Sequence, residues 1–167
     1  MSVAPADIQD LSVLLASCGP HRLIDTLKEC GHGWLEATWH PDDKVAYRYD
    51  ANAQPLLVPG TVTQEAAVQA GEALIYRHRG TMRPEDGVPL LARARNVTFR
   101  GPVLRGDEVS IRVELTAELG PAYYVKASAR TARGRVLTAE LTFTATTDIP
   151  GAHVGATTDA AQESSER

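Results

Sequence analysis

The second half of the chain is constrained most by four long stretches typical of strands, two of which alternate apolar and polar residues. In residues 135–146, Leu137, Leu141 and Phe143 alternate with threonines and with Glu140. A period of two places the apolar side chains on one face of a strand. Similar stretches cover residues 90–99, 108–118 and 122–130, and glycine or proline turns separate them. We therefore expect four consecutive antiparallel strands whose apolar face another element must cover.

One long helix is expected just before these strands, over residues 61–78. Small residues recur along it, namely Ala66, Ala67, Ala70, Gly71 and Ala73. Thr61 and Gln64 have the spacing of a capping box, and Gly80 stands where a glycine commonly ends a helix. A glycine inside a helix costs about 1 kcal/mol relative to alanine. We expect that another element packs closely against Gly71.

The remaining segments complete a single domain. A short amphipathic helix is expected over residues 5–16, and two strands over 23–29 and 34–39 around a glycine turn. Residues 50–55 are irregular. The segment from residue 149 to 167 offers no core and is expected to be disordered. The prediction is an α+β domain over residues 1–148, with a curved antiparallel sheet wrapped around one central helix. Its open edge strand favours pairing with a second subunit across a two-fold axis.

Composition limits the class of protein. The chain has 167 residues, 43% of them hydrophobic and 23% charged, which is typical of one globular domain. It shows neither an apolar run of transmembrane length nor a signal peptide, so we expect a soluble, cytoplasmic protein without membrane contact. Cys18 and Cys30 lack the spacing and the histidine companions of a zinc site. No metal is implied.

Arginines are concentrated between residues 77 and 105. This segment contains seven arginines, and Glu85 and Asp86 are its only acidic residues. Either the arginines are solvated side chains on strands and loops, or they form a docking surface for an acidic partner. Only 5% of the residues are aromatic, which argues against a nucleic-acid partner.

Three collinear segments resemble a known family, the hot-dog-fold 3-hydroxyacyl-[acyl-carrier-protein] dehydratases. Residues 20–25, PHRLID, are similar to the family's PHR…LxD opening. Residues 58–71, VPGTVTQEAAVQAG, resemble its MPGxxxxEAxAQAG helix. Residues 96–107, NVTFRGPVLRGD, resemble its FRxPVxPGD strand and turn, with Arg105 in place of the proline. The resemblance implies the hot-dog fold.

The resemblance also assigns roles to residues. In the family, a loop histidine removes the α-proton of the thioester, and an acid on the helix of the partner protomer protonates the departing β-hydroxyl. Glu65 falls on that acid, and Gly60 falls at the helix start, where a backbone N–H would meet the thioester carbonyl. Gly60, Gln69 and Arg100 are the expected substrate-binding residues, with Gln69 orienting Glu65.

The loop histidine is missing from this chain. Its position falls on Ala51, or on Asp50 if the loop carries one extra residue. Asp50 would either replace the base, with its pKa raised in an apolar tunnel, or serve as an ordinary turn residue. Glu65 also has two interpretations. It could simply bond to Gln69 on the helix surface, or it could act beside an apolar wall expected on the same helix face, formed by Val62, Ala66, Ala70, Ala73 and Leu74.

Three functions are compatible with these residues. The first is a dehydratase-like enzyme of fatty-acid or polyketide-type biosynthesis, such as aryl-polyene synthesis, that acts on thioesters of acyl carrier protein or coenzyme A. The second is a hot-dog thioesterase in which Glu65 alone acts as base or nucleophile. The third is a catalytically silent subunit that completes a heterodimer with an active dehydratase. Each requires a homodimer or a pair with a related hot-dog subunit, and none requires a cofactor.

Overall fold

The structure is a computed structural model that describes residues 21–48, 50, 52–80 and 84–148. The expected helix over residues 5–16 and the expected disordered tail from 149 lie outside these residues. The strands in chain order are β1 (Thr26–Gly31), β2 (Trp34–Trp39), β3 (Leu57–Val58), β4 (Val88–Phe99), β5 (Val103–Leu104), β6 (Val109–Leu119), β7 (Ala122–Thr131) and β8 (Gly134–Thr146). The long helix α1 (Gly60–Arg79) follows β3, and a single 3-10 turn (Pro84–Asp86) precedes β4.

Six strands form one antiparallel sheet in the order β1-β2-β6-β7-β8-β4, and α1 packs against one face of it. The alternation in β8 is confirmed, because Leu137, Leu141 and Phe143 are buried whereas Glu140 between them is exposed. The buried side chains of β2, β6 and β7 join the same core as those of α1. The predicted arrangement of one antiparallel sheet around one long helix is confirmed.

The two ends of α1 differ in how well the sequence predicted them. Gly80 ends the helix in the left-handed conformation, with φ of 67°, as expected. The predicted capping box is wrong, because the helix begins at Gly60 and its N-cap is Pro59 without a side-chain cap. Proline has a fixed φ compatible with entry into a helix, and its carbonyl accepts hydrogen bonds from the N–H groups of Val62 and Thr63.

Close packing at Gly71 is confirmed. A Cβ built on Gly71 would lie 2.7 Å from Cζ of Phe143, a fully buried side chain of β8. The absence of a side chain at this position lets the Phe143 ring reach the helix backbone. The cost of a glycine in the helix is therefore offset by the burial of a large aromatic ring.

A two-stranded sheet of β3 and β5 was not predicted from the sequence. Strands of two residues are too short for alternation to reveal. The turn after β5 is held by Asp107, whose carboxylate accepts a 2.8 Å hydrogen bond from the Leu104 N–H and a two-point contact from Arg133. Burial raises the pKa of Asp107, but the bonds from Arg133 and Leu104, together with the Arg133 charge, outweigh it and lower the pKa below its usual value.

Strand β4 is one edge of the six-stranded sheet, with β8 as its neighbour. Three of its large apolar side chains are exposed: Leu90 (46%), Leu91 (37%) and Phe99 (50%). The register with β8 shifts twice, and Asn96, at the second shift, has a positive φ of 50°. A long edge strand with exposed apolar residues is a surface on which another strand can add.

Candidate functional site

Glu65 projects from the second turn of α1 and is exposed in the single chain. Its Oε1 accepts a hydrogen bond of 3.2 Å from Nε2 of Gln69, one turn further along the helix. The structure therefore brings together two of the residues that the sequence singled out. The bond holds one oxygen of the carboxylate and fixes its side chain against the helix.

Gln69 connects this carboxylate to the segment that precedes β1. Its side chain is 1% exposed. Besides Glu65, Nε2 donates to the backbone oxygen of His21 at 2.9 Å, and Oε1 accepts from the backbone N–H of Leu23 at 2.8 Å. Losing such a buried partner costs about 1–3 kcal/mol for each backbone group left unsatisfied. Gln69 thus positions Glu65 and fastens residues 21–23 to the helix at the same time.

The apolar residues expected beside Glu65 are turned toward the sheet, where Val62 is partly buried against the core. Ala66, Ala70, Ala73 and Leu74 are fully buried in the core of the sheet, whereas Glu65 is exposed. At 100° per residue, Gln69, Glu72 and Tyr76 lie within about 40° of Glu65 around α1, and of these three Gln69 and Tyr76 are buried.

Glu72 is a titratable residue that the sequence analysis missed. It is half-buried, and burial, followed by the negative charge of Glu65, raises its pKa from 4.5 to about 7. The seven-residue spacing, which places two carboxylates on one helix face, was the signal that could have revealed it. At neutral pH this face of α1 holds a carboxyl group that readily gains or loses a proton.

The start of α1 is covered by an aromatic ring. A Cβ built on Gly60 would lie 2.8 Å from the ring of Phe99, so the ring rests against the helix backbone where the first N–H groups are unpaired. Phe99 belongs to the segment that resembles the family's FRxPV strand, but the sequence alone did not place it at Gly60. Nearby, the Thr63 hydroxyl is buried without a hydrogen-bond partner among the described residues.

Asp50 and Arg100 are not joined to Glu65 by any hydrogen bond or ion pair in the described part of the chain. The Asp50 carboxylate accepts from the backbone N–H groups of Asn52 (2.8 Å) and Ala53 (2.9 Å), the geometry of an Asx turn. Arg100 is exposed, and its backbone N–H donates to Val136. The structure accounts for Asp50 as a turn residue and leaves its proposed catalytic role untested.

Two of the described histidines, His40 and His78, pair with carboxylates away from Glu65. Nδ1 of His40 lies 2.9 Å from Asp25, and Nε2 of His78 lies 2.9 Å from Glu118. His21 contributes its backbone oxygen to Gln69. Within residues 21–48, 50, 52–80 and 84–148, no histidine hydrogen-bonds to Glu65. These residues also contain no cluster of three or more histidine, cysteine or acidic side chains that could hold a metal ion.

The arginine-rich segment divides into structural and free side chains. Arg79 donates to the backbone oxygens of Asp86 and Gly87, and Arg105 pairs with Asp43 at 2.9 Å. By contrast, Arg93, Arg95 and Arg100 are exposed, and the described chain gives them no ion pair. Only part of the predicted docking surface is therefore available to a partner.

Two cavities of about 290 and 320 Å³ lie on the face of the sheet opposite α1. The first is lined by Arg93, Arg95 and Lys126, the second by Lys126 and Arg135, among other residues. Neither includes Glu65 or Gly60. In the described part of the chain, no helix is both long and apolar enough to cross a membrane.

Comparison with known proteins agrees with this architecture. A family model described as the FabA-like domain matches residues 29–141. A 3-hydroxyacyl-[acyl-carrier-protein] dehydratase FabZ from Aromatoleum aromaticum is 33% identical over 86 residues. That match covers 52% of this chain and 59% of the relative, which is less than two thirds of the relative's length.

Solved structures with the same fold include proteins of different activities. The dehydratase heterocomplex ApeI:P from Xenorhabdus doucetiae superposes with a TM-score of 0.63 at 12% identity, covering 77% of this chain and 85% of that one. A hypothetical thioesterase from Streptococcus pneumoniae, solved with coenzyme A, gives 0.59 at 11% identity, covering 72% and 84%. At these identities the likeness establishes the fold alone.

Proposed function

Because the chain belongs to the FabA-like family of hot-dog proteins, we propose that it dehydrates 3-hydroxyacyl thioesters in fatty-acid or polyketide-type biosynthesis, such as aryl-polyene synthesis. The observation that carries the proposal is the Glu65 carboxylate, held by Gln69 on the helix where the sequence resemblance places the acid. A carboxyl group at this position can give a proton to a leaving hydroxyl.

The proposed reaction needs three groups. A base removes the α-proton, Glu65 protonates the β-hydroxyl as the C–O bond breaks, and water leaves an α,β-unsaturated thioester. Negative charge that develops on the thioester oxygen is met by the unpaired N–H groups at Gly60, at the positive end of the helix dipole. Gln69 orients the Glu65 carboxyl through the hydrogen bond from its Nε2. Arg100 is proposed to contact the substrate, as the sequence resemblance implies.

The proposed site is completed by a second hot-dog subunit, either another copy of this chain or a related one. Glu65 is exposed in the single chain, and the β4 edge carries exposed apolar residues. Pairing along that edge would bury both. The base would be Asp50 of this chain, or a group that the other subunit provides.

The substrate would be carried by acyl carrier protein or by coenzyme A. Both present the acyl group on a phosphopantetheine arm, and exposed arginines suit its phosphate. Acid–base dehydration needs no metal or redox cofactor, so we propose none. A cytoplasmic location follows from such substrates and is part of the same proposal.

The test compares Glu65→Gln with Glu72→Gln, which removes a carboxylate from the same side of the same helix. Both variants and the wild type are assayed for loss of 3-hydroxyacyl thioester and gain of the unsaturated product. We expect Glu65→Gln to lower turnover by about 100-fold or more and Glu72→Gln to retain it. Full turnover by Glu65→Gln would overturn the proposal.

A second candidate function is thioester hydrolysis. Glu65 is a single carboxylate with no second catalytic side chain bonded to it in the described chain, and one carboxylate suffices as base or nucleophile for hydrolysis. In the same assays, release of free thiol without unsaturated product would favour this function. If the isolated chain releases neither product but becomes active with a histidine-bearing relative, it is the silent subunit that donates Glu65.

A further inference from the structure

The cavity of about 290 Å³ on the face of the sheet opposite α1 is strongly cationic. Three positive side chains line it, those of Arg93 and Arg95 on β4 and of Lys126 on β7. The described residues around it include a single carboxylate, that of Glu140 on β8. Three positive charges and one negative charge give the lining residues a net charge of +2, so the cavity is suited to an anion.

The strand register brings these cations together. Glu140 pairs with Lys126 on one side and with Arg95 on the other, so the three residues form a row across the sheet. In the next row, Thr142 pairs with Arg93. Both rows lie on the face away from α1, because the residue between them on β8 is buried in the core. The rows are about 7 Å apart, so one small anion can contact both.

The fold itself leaves these cations without a counter-ion. Glu140 stands between Lys126 and Arg95, but its carboxylate accepts a 2.9 Å hydrogen bond from Nδ2 of Asn96. In the described part of the chain, Lys126, Arg93 and Arg95 form no ion pair. Like charges on neighbouring strands repel each other. An anion bound between them would replace this repulsion with attraction.

The donors of this cavity match a phosphate monoester better than a carboxylate. A phosphate monoester has a charge of about −1.5 to −2 and three acceptor oxygens at neutral pH, whereas a carboxylate has one charge and two oxygens. Arginine binds phosphate through two parallel N–H bonds. The hydroxyl groups of Tyr124 and Thr142 line the same cavity and add neutral donors. A phosphate monoester would therefore balance the charge of the cavity and use its several donors.

The second cavity, of about 320 Å³, adjoins the first and shares Lys126 and Glu140 with it. Its other charged residues are Arg112, which is paired with Glu114 at 2.8 Å, and Arg135. Three positive and two negative side chains make it less positive than the first cavity. Its lining also contains three neutral hydrogen-bonding side chains, those of Asn96, Ser128 and Thr138. Such groups suit the hydroxyls of a ligand.

We propose that the two cavities together bind a small phosphorylated compound that carries hydroxyl groups, such as a sugar phosphate. Its phosphate lies in the first cavity, between Arg93, Arg95 and Lys126, and its hydroxyl-bearing part lies in the second. The six-stranded sheet separates this site from α1, which carries Glu65. Binding here is therefore independent of the proposed dehydration.

The experiment measures binding of three probes to the full chain by isothermal titration calorimetry at constant ionic strength. Methyl phosphate tests the phosphate group alone, glucose 6-phosphate adds hydroxyl groups, and acetate is a carboxylate of similar size to methyl phosphate. We expect acetate to bind at least about tenfold more weakly than methyl phosphate. We expect glucose 6-phosphate to bind at least about threefold more tightly than methyl phosphate, because its hydroxyls reach the second cavity.

Variants then assign the two parts of the site. Arg95→Gln and Lys126→Gln each remove one exposed positive charge and should weaken binding of methyl phosphate about fivefold or more. The matched control Arg130→Gln removes an exposed charge four residues further along β7 that lines neither cavity, and it should leave binding unchanged. Ser128→Ala should remove the advantage of glucose 6-phosphate without affecting methyl phosphate.

Three results would overturn the proposal. Equal binding of acetate and methyl phosphate would show that the surface attracts any anion through its net charge. A loss in Arg130→Gln as large as in Lys126→Gln would show that the cavity does not hold the phosphate. Glucose 6-phosphate that binds no more tightly than methyl phosphate would show that the second cavity takes no part. Circular dichroism checks that each variant is folded, and none of these measurements depends on enzymatic activity.

Discussion

Glu72 makes the stability of this protein depend on pH in the direction opposite to most carboxylates. Burial, followed by the charge of Glu65, raises its pKa from 4.5 to about 7 in the folded chain. Between pH 4.5 and about pH 7, Glu72 keeps its proton in the folded state but has lost it in the unfolded state. The free energy of unfolding therefore falls as pH rises through this range. One pH unit is worth about 1.4 kcal/mol, which gives a penalty of about 3 kcal/mol above pH 7.

The variant Glu72→Gln removes this penalty because an amide does not ionise. Urea unfolding of variant and wild type is measured from pH 4 to pH 8, and the difference in unfolding free energy is plotted against pH. Any lost contact of Glu72 adds a constant offset. The difference should be flat below about pH 4.5 and should rise in favour of the variant by about 3 kcal/mol up to pH 8. Carboxylates common to both proteins, such as Asp107, cancel in the difference.

The same measurement in a Glu65→Gln background separates the two causes. Burial is the larger cause and Glu65 the smaller, so the rise should become smaller but persist when Glu65 is neutral. A difference that stays flat across the whole range, or that falls with pH, would refute the argument that Glu72 is buried in its charged form at a cost. If the pH-dependent rise disappears in the Glu65→Gln background, the charge of Glu65 rather than burial is the main cause of the raised pKa.

Three further predictions follow from the packing and hydrogen bonds. Gly71→Ala gains about 1 kcal/mol of helix propensity but loses about 1–3 kcal/mol to overpacking against Phe143, so urea unfolding should show net destabilisation that Phe143→Leu partly relieves. Gln69→Leu leaves two backbone groups without a partner and should lower the unfolding free energy by about 2–6 kcal/mol, which urea unfolding measures, and turnover per folded molecule should fall because Glu65 loses its orienting bond. Asp50→Asn preserves the turn, so an unchanged melting temperature with slower dehydration identifies a base, whereas an unchanged rate assigns a turn residue.

The fold was predictable because its signals are long and local. The sequence predicted β4, β6, β7 and β8, and each of these strands contains at least ten residues. Alternating residues along a strand, or turn residues at its ends, mark its boundaries. The predicted start of α1 was wrong. Threonine is a common N-cap, but here the fixed φ of Pro59 starts the helix two residues before the predicted cap. The β3–β5 pair was not predicted because a strand of two residues is too short to show an alternating pattern.

The site was predictable only in its residue types. The resemblance identified Glu65 and Gln69, and their spacing of four correctly predicted a bond between them. The backbone partners of Gln69 lie 46 and 48 residues away in the chain, and no local pattern reports such contacts. The burial of Glu72 likewise depends on which elements cover the outer side of α1. Helical spacing orders residues around a helix, but tertiary packing decides which side is covered.

The source of the base in the proposed dehydration can be narrowed by geometry. Glu72 lies seven residues from Glu65, about 10 Å along the helix axis, whereas the α- and β-carbons of a substrate are directly bonded. The axial spacing therefore favours Asp50 or a group from another subunit, rather than Glu72, as the base. Both backbone N–H groups of the Asp50 turn donate to Oδ1, and no hydrogen bond from the described residues reaches Oδ2, so Asp50 keeps an oxygen with which a base could take the α-proton. A group from another subunit is the alternative base, and the exposure of Glu65 leaves room for that subunit to approach.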